Sequence, residues 1–95
     1  MGELEHQVAA VRRIESSTAT VTLSSANFHR GGFIIHNDSM AVLFVKFGSG
    51  ASDTDFTHRL DSQGSLEHRT GRVYRGLVTG RWGAESGAAQ VTELV

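Results

Sequence analysis

Apolar and polar positions alternate in short bursts along this chain, and each burst is closed by Gly, Ser, Asn or Asp. Successive side chains of an extended backbone point to opposite faces, so alternation predicts strands with one face on a core. Thr18–Leu23 sets Ala19, Val21 and Leu23 against Thr18, Thr20 and Thr22. Ser24–Asn27 breaks the pattern and reads as a loop. Gly31–Asn37 puts Phe33 and Ile35 on one face and Ile34 and His36 on the other. Asn37-Asp38-Ser39 reads as a tight turn, because Asn and Asp tolerate positive φ and bond their own backbone. Met40–Phe47 then reads as the second arm of a hairpin. Both its faces are apolar as far as Lys46, which predicts a strand covered on both sides.

Gly48–Ser52 reads as a flexible loop. Asp53–Leu60 resumes the alternation, with Phe56, His58 and Leu60 on one face. Asp61-Ser62-Gln63-Gly64 is a further turn. A short polar strand follows around Leu66, from Ser65 to Arg69. Gly76–Trp82 carries Val78 and Trp82 on one face with Gly76 and Gly80, and Ala89–Leu94 closes the chain. The segment from Gln7 to Ile14 fits two periods. A strand puts Val8, Ala10, Arg12 and Ile14 on one face, while a short helix puts Leu4, Val8 and Val11 together. The strand is preferred. Turn signals recur about every 8–12 residues, the spacing of a sandwich or barrel. These elements predict an all-β fold of about eight short antiparallel strands in a β-sandwich of jelly-roll type, with a small OB-like or SH3-like barrel as rival. Residues 1–17 read as an N-terminal arm or first strand, and 18–95 as a single β domain.

Composition sharpens this picture in three ways. A chain of 95 residues makes one domain, and one this small buries only about 60–65% of its unfolded surface. With no Cys there is neither a disulfide nor a zinc–thiolate site to reinforce it, which leaves self-association or docking on a larger body. A net charge of −1 argues against general nucleic-acid binding. The longest apolar run, Met40–Val45, is too short for a bilayer, which needs about 20 residues. The acidic start lacks the layout of a signal peptide. No membrane partner is expected, and a cytoplasmic site of synthesis is.

The chemistry-bearing residues form no recognised catalytic or metal pattern. The histidines show neither HxH nor HExxH spacing, no serine sits in a GxSxG elbow, and Gly48-Ser49-Gly50 does not continue into a phosphate loop. No catalytic residue, metal or cofactor is expected. The arginines stand out more. Eight of the nine basic residues are Arg, and Arg69, Arg72, Arg75 and Arg81 cluster with Tyr74 and Trp82. Arg with Tyr and Trp is the composition of protein-interface hot spots. A solvated strand face accounts for it equally well. Protein docking ranks above nucleic acid here, because Asp53, Asp55, Asp61 and Glu67 offset the positive charge. Arg12, Arg13, Arg69, Arg72, Tyr74, Arg75, Arg81 and Trp82 are the candidate interface residues.

Three stretches carry a family resemblance: Gly32–Ser39, Ala41–Ser52 with Phe56-Thr57, and Gly76–Trp82 with Val91–Leu94. The chain there resembles small structural proteins of tailed-phage particles, over roughly two-thirds of its length. The most specific part is a strand, an Asn-Asp-Ser segment, then an apolar strand ending Val45-Lys46-Phe47-Gly48. The resemblance implies a virion component: a capsid decoration protein, a head-fibre protein or a tail-associated one. It implies the major capsid protein or another virion protein as partner, and a homo-oligomer, with a trimer favoured. Two places depart from the pattern. Leu66–Arg69 is charged where the family has aromatic and Pro residues, and Arg81 replaces an apolar residue before Trp82. The expected function is binding and stabilising an assembled shell. A tail, neck or fibre position, or a carbohydrate-binding module, is the alternative.

Overall fold

The computed structural model describes residues 9–68 and 73–95. Among them are eight strands and no helix: β1 (Ala9–Glu15), β2 (Val21–Ser24), β3 (Gly32–Asp38), β4 (Leu43–Phe47), β5 (His58–Leu60), β6 (Ser65–His68), β7 (Val78–Trp82) and β8 (Ala88–Leu94). First pairs with last, second with second-last, and so inward, all antiparallel. Two further pairings, β3 with β8 and β4 with β7, gather the strands into sheets ordered β1-β8-β3-β6 and β2-β7-β4-β5. A long hairpin wound into two facing sheets in this way is a jelly roll, as the spacing of the alternating segments predicts.

Period-2 alternation decides which side chains meet between the sheets. Phe33 and Ile35 of β3, Leu43 and Val45 of β4, and Ala89 and Val91 of β8 point inward with Leu23, Leu60, Val78 and Trp82. Each large aliphatic or aromatic side chain there contributes about 1.5–3 kcal/mol by leaving water. Gly80 faces the same core. A Cβ there would lie 2.7 Å from Leu23 Cδ1 and 3.1 Å from Leu43 Cδ1, so the two leucines close over a position that has no room for a side chain.

Several elements differ from the reading of the sequence. Ala9–Glu15 is a strand, paired along its length with β8; the earlier part of the Gln7–Ile14 segment lies outside the described residues. Ala19 is exposed and precedes β2, whereas Ser24 belongs to β2 and is buried. Phe56 lies outside β5 and packs on Phe44 from the solvent side, with ring centroids 5.1 Å apart. That contact covers the outer face of β4, whose inner face is in the core. The largest correction concerns Asn37-Asp38-Ser39. β3 and β4 are not arms of one hairpin but lie in opposite sheets. Both edges of β3 are taken by β8 and β6, and both edges of β4 by β7 and β5, so the short connection must cross between layers.

The winding puts the β2–β3, β4–β5 and β6–β7 connections at one end of the sandwich and the other four at the opposite end. Each end is organised by one buried polar residue. At the four-loop end it is Asn37. Its Nδ2 lies within hydrogen-bonding distance of the carbonyls of Ala41 (2.7 Å), Leu60 (3.1 Å) and Asp61 (3.1 Å). Its Oδ1 accepts from Ser39 Oγ (2.7 Å) and Trp82 Nε1 (3.1 Å). At the three-loop end it is Arg30.

Candidate functional site

Arg30 follows the β2–β3 turn and precedes Gly31 and β3, and its side chain is completely buried. A guanidinium has five N–H donors in a fixed fork. All five are used. Nε donates to Glu93 Oε2 at 2.8 Å. Nη1 donates to the carbonyls of Tyr74 (2.9 Å) and Gly76 (3.0 Å). Nη2 donates to Ser24 Oγ (2.9 Å) and to the carbonyl of Ser25 (2.6 Å). The guanidinium also lies over the Phe33 ring, 5.3 Å from its centroid. One side chain thus ties β2, β8 and the β6–β7 connection to the start of β3. Burial raises the Glu93 pKa, but hydrogen bonds from Arg30 and Ser24, the Arg30 charge and a bond from Asn27 outweigh it, so the carboxyl sits below its ordinary value.

Above this brace the chain makes a sharp turn. Arg30 N–H donates to the Asn27 carbonyl (3.2 Å), and His29 N–H donates to Asn27 Oδ1 (2.9 Å). Asn favours the first position of such turns because its side chain bonds the backbone two residues on. Asn27 N–H donates to the Arg75 carbonyl (2.9 Å), and Arg75 Nε donates to the Arg30 carbonyl (3.1 Å), so the turn is locked to the neighbouring connection. The residue at its tip is Phe28, which is 88% exposed, the most exposed large hydrophobic among the described residues. Beside it lies a hollow of about 360 Å³ lined by Ala26, Asn27, Phe28, Arg75 and Gly76, with a mostly apolar wall. A large aromatic held in water by a rigid, hydrogen-bonded turn forgoes burial that a flexible loop could recover.

The candidate interface residues do not form one face. Arg75 belongs to this hollow. Tyr74 lies directly beneath it and is engaged in packing, stacked on Phe47 with centroids 4.9 Å apart and donating its hydroxyl to the Leu77 carbonyl. Trp82 is fully buried in the core and has no surface to offer. Arg81 lies on the outer face of the other sheet, bonded to the Thr18 carbonyl at 2.7 Å and 3.6 Å from Asp53. Arg12 and Arg13 sit on the edge strand β1, where Arg12 reaches the Leu23 carbonyl and Arg13 pairs with Glu15 and Asp38. Arg69 and Arg72 lie outside the described residues. A carbohydrate groove built on Tyr74 and Trp82 loses one ring to the core and finds the other stacked.

Of the acidic residues expected to offset the arginine cluster, Asp53 meets one of its members, whereas Asp55 and Asp61 pair with other cations on the outer face of β4 and β5. Arg81 meets Asp53, Lys46 meets Asp55 at 2.5 Å, and Arg59 meets Asp61 at 3.5 Å. His36 and His58 belong to opposite sheets; His36 bonds Ser65 Oγ and Gln63, and His58 packs on Phe47. Among the described residues no group of three His, Asp or Glu side chains is placed to hold a metal. Comparison of the chain with protein-family models, with curated proteins and with solved structures gives no match.

Proposed function

We propose that this chain is a non-catalytic docking protein that binds the assembled shell of a tailed-phage particle and stabilises it. The observation that supports docking is Phe28, an aromatic held almost wholly in water at the tip of a turn braced from beneath by Arg30. Interfaces are anchored by such side chains when they enter a pocket on the partner. The choice of a phage shell as platform rests on the resemblance of the Gly32–Ser52 region. A protein that binds only the assembled shell stabilises it by mass action, by RT ln(1 + [L]/Kd) for each site.

The test is co-sedimentation of the purified chain with expanded heads assembled without it. Saturable, stoichiometric binding that Phe28→Ser weakens by about thirtyfold, the size of an ordinary hot spot of about 2 kcal/mol, supports the reading. Binding to purified tails and not to heads moves the chain to the tail. Binding to neither ends the proposal.

A further inference from the structure

The hollow beside Phe28 has a cation, Arg75, on its rim. Arg13, Arg30, Lys46, Arg59 and Arg81 each meet an Asp or Glu side chain. Arg75 is exposed and meets none among the described residues. Its Nε donates to the Arg30 carbonyl at 3.1 Å, and no hydrogen bond from Nη1 or Nη2 is found among the described residues. The surface next to it is apolar: Ala26, Gly76 and the Phe28 ring. A volume of about 360 Å³ lies at the small end of the range of ligand pockets, about 300–1,000 Å³, and suits a single large side chain.

From this we infer that the hollow takes an apolar or aromatic side chain of the partner protein that is flanked by Asp or Glu. The apolar group would lie against Phe28 and Ala26, and the carboxylate would accept two parallel hydrogen bonds from Arg75. This inference rests on the docking reading and names the chemistry of the partner at that same site. A second copy of this tip fits poorly, because Asn27 and His29, not carboxylates, flank Phe28. A nucleic-acid strand fits poorly too, since the other exposed arginines described are spent on aspartates or glutamates or, for Arg12, on a backbone carbonyl.

The experiment is an NMR titration of the full-length, ¹⁵N-labelled chain with three capped peptides: Asp-Phe-Asp, Lys-Phe-Lys and Asp-Ser-Asp. The expected result is that Asp-Phe-Asp alone moves the amides of Ala26, Phe28 and Gly76 and the Arg75 Nε–H, with an apparent Kd of about 1 mM. Arg75→Glu should weaken that peptide at least about tenfold, because a charge-assisted hydrogen bond is lost, and should favour Lys-Phe-Lys. Should that variant not fold, the charge preference of the wild-type chain still decides. Equal shifts from both charged aromatic peptides, shifts on another face, or none overturn the inference. So do shifts of the same amides on simple concentration of the chain, which assign the hollow to a second copy. If the charge preference is absent while Phe28→Ser still loses heads, the partner chemistry is wrong and the docking reading stands.

Discussion

The two ends of the sandwich are closed by different chemistry. At one end Arg30 gathers the β2–β3 and β6–β7 connections with a charged fork that also meets Glu93 of β8. At the other Asn37 gathers the β3–β4 and β5–β6 connections with a neutral amide that also accepts from the Trp82 indole. Both residues are fully buried, and both leave their hydrogen-bonding groups satisfied. The exposed side chains they support differ as well. The Arg30 end lifts Phe28 beside a hollow rimmed by Arg75, which meets no carboxylate among the described residues. The Asn37 end also exposes an apolar side chain, Met40 at 81%, which does not line the hollow beside Phe28. Closure and exposure are alike at the two ends, so the hollow and the Arg75 guanidinium beside Phe28 are what set the Arg30 end apart.

Substitutions should separate the ends. Arg30→Met strands Glu93 and four oxygen acceptors, and breaking a buried pair from one side costs about 3–5 kcal/mol. Native domains have only about 5–15 kcal/mol in hand. Urea unfolding should show the chain near its limit. Arg30→Lys should not rescue it, because three donors cannot replace five in a fixed fork. Asn37→Ala frees Trp82 Nε1 and leaves buried carbonyls short of a donor, for about 2–4 kcal/mol by the same measurement. Gly87 has φ +58, and a Cβ there would collide with the Asp38 carbonyl, so Gly87→Ala should cost upward of about 1 kcal/mol at the Asn37 end.

Acid should distinguish the ends without any substitution. The folded Glu93 carboxyl lies below its ordinary 4.5. Its contribution is therefore fully present above that value and is lost as pH falls through the lower folded one. Stability measured from pH 6 downward should decline once that range is reached, and the decline should be shallower in Glu93→Gln. The Asn37 network contains no titrating group and should not contribute to the slope. The smallest effect belongs to the surface pairs. Arg81→Ala removes an exposed ion pair with Asp53 and should change stability by less than about 1 kcal/mol.

The strands were legible because period-2 alternation is a direct consequence of backbone geometry. Phe33, Ile35, Leu43 and Val45 landed in the core as their parity required. Asn37 shares that parity with Phe33 and Ile35, so its burial was also written in the sequence, although its habit of making turns suggested otherwise. Arg30 was not legible. It stands between His29 and two glycines, like any solvated loop residue, and its acceptors come from positions between 5 and 63 residues away. Trp82 misled for a related reason. Its arginine neighbours in sequence suggested a surface cluster, but alternation along β7 turns Arg81 out and Trp82 in. Phe28 left only a weak sign, a lone aromatic between Asn and His in a loop.

The most direct test of the account compares tips at the two ends. Phe28→Ser and Met40→Ser each remove one exposed apolar side chain, and each should alter stability by no more than about 0.5 kcal/mol. Both variants and the wild-type chain would be titrated onto shells assembled without the protein. The account predicts that Met40→Ser binds like the wild type while Phe28→Ser loses most of its affinity. Wild-type binding by Phe28→Ser, or loss confined to Met40→Ser, would contradict it.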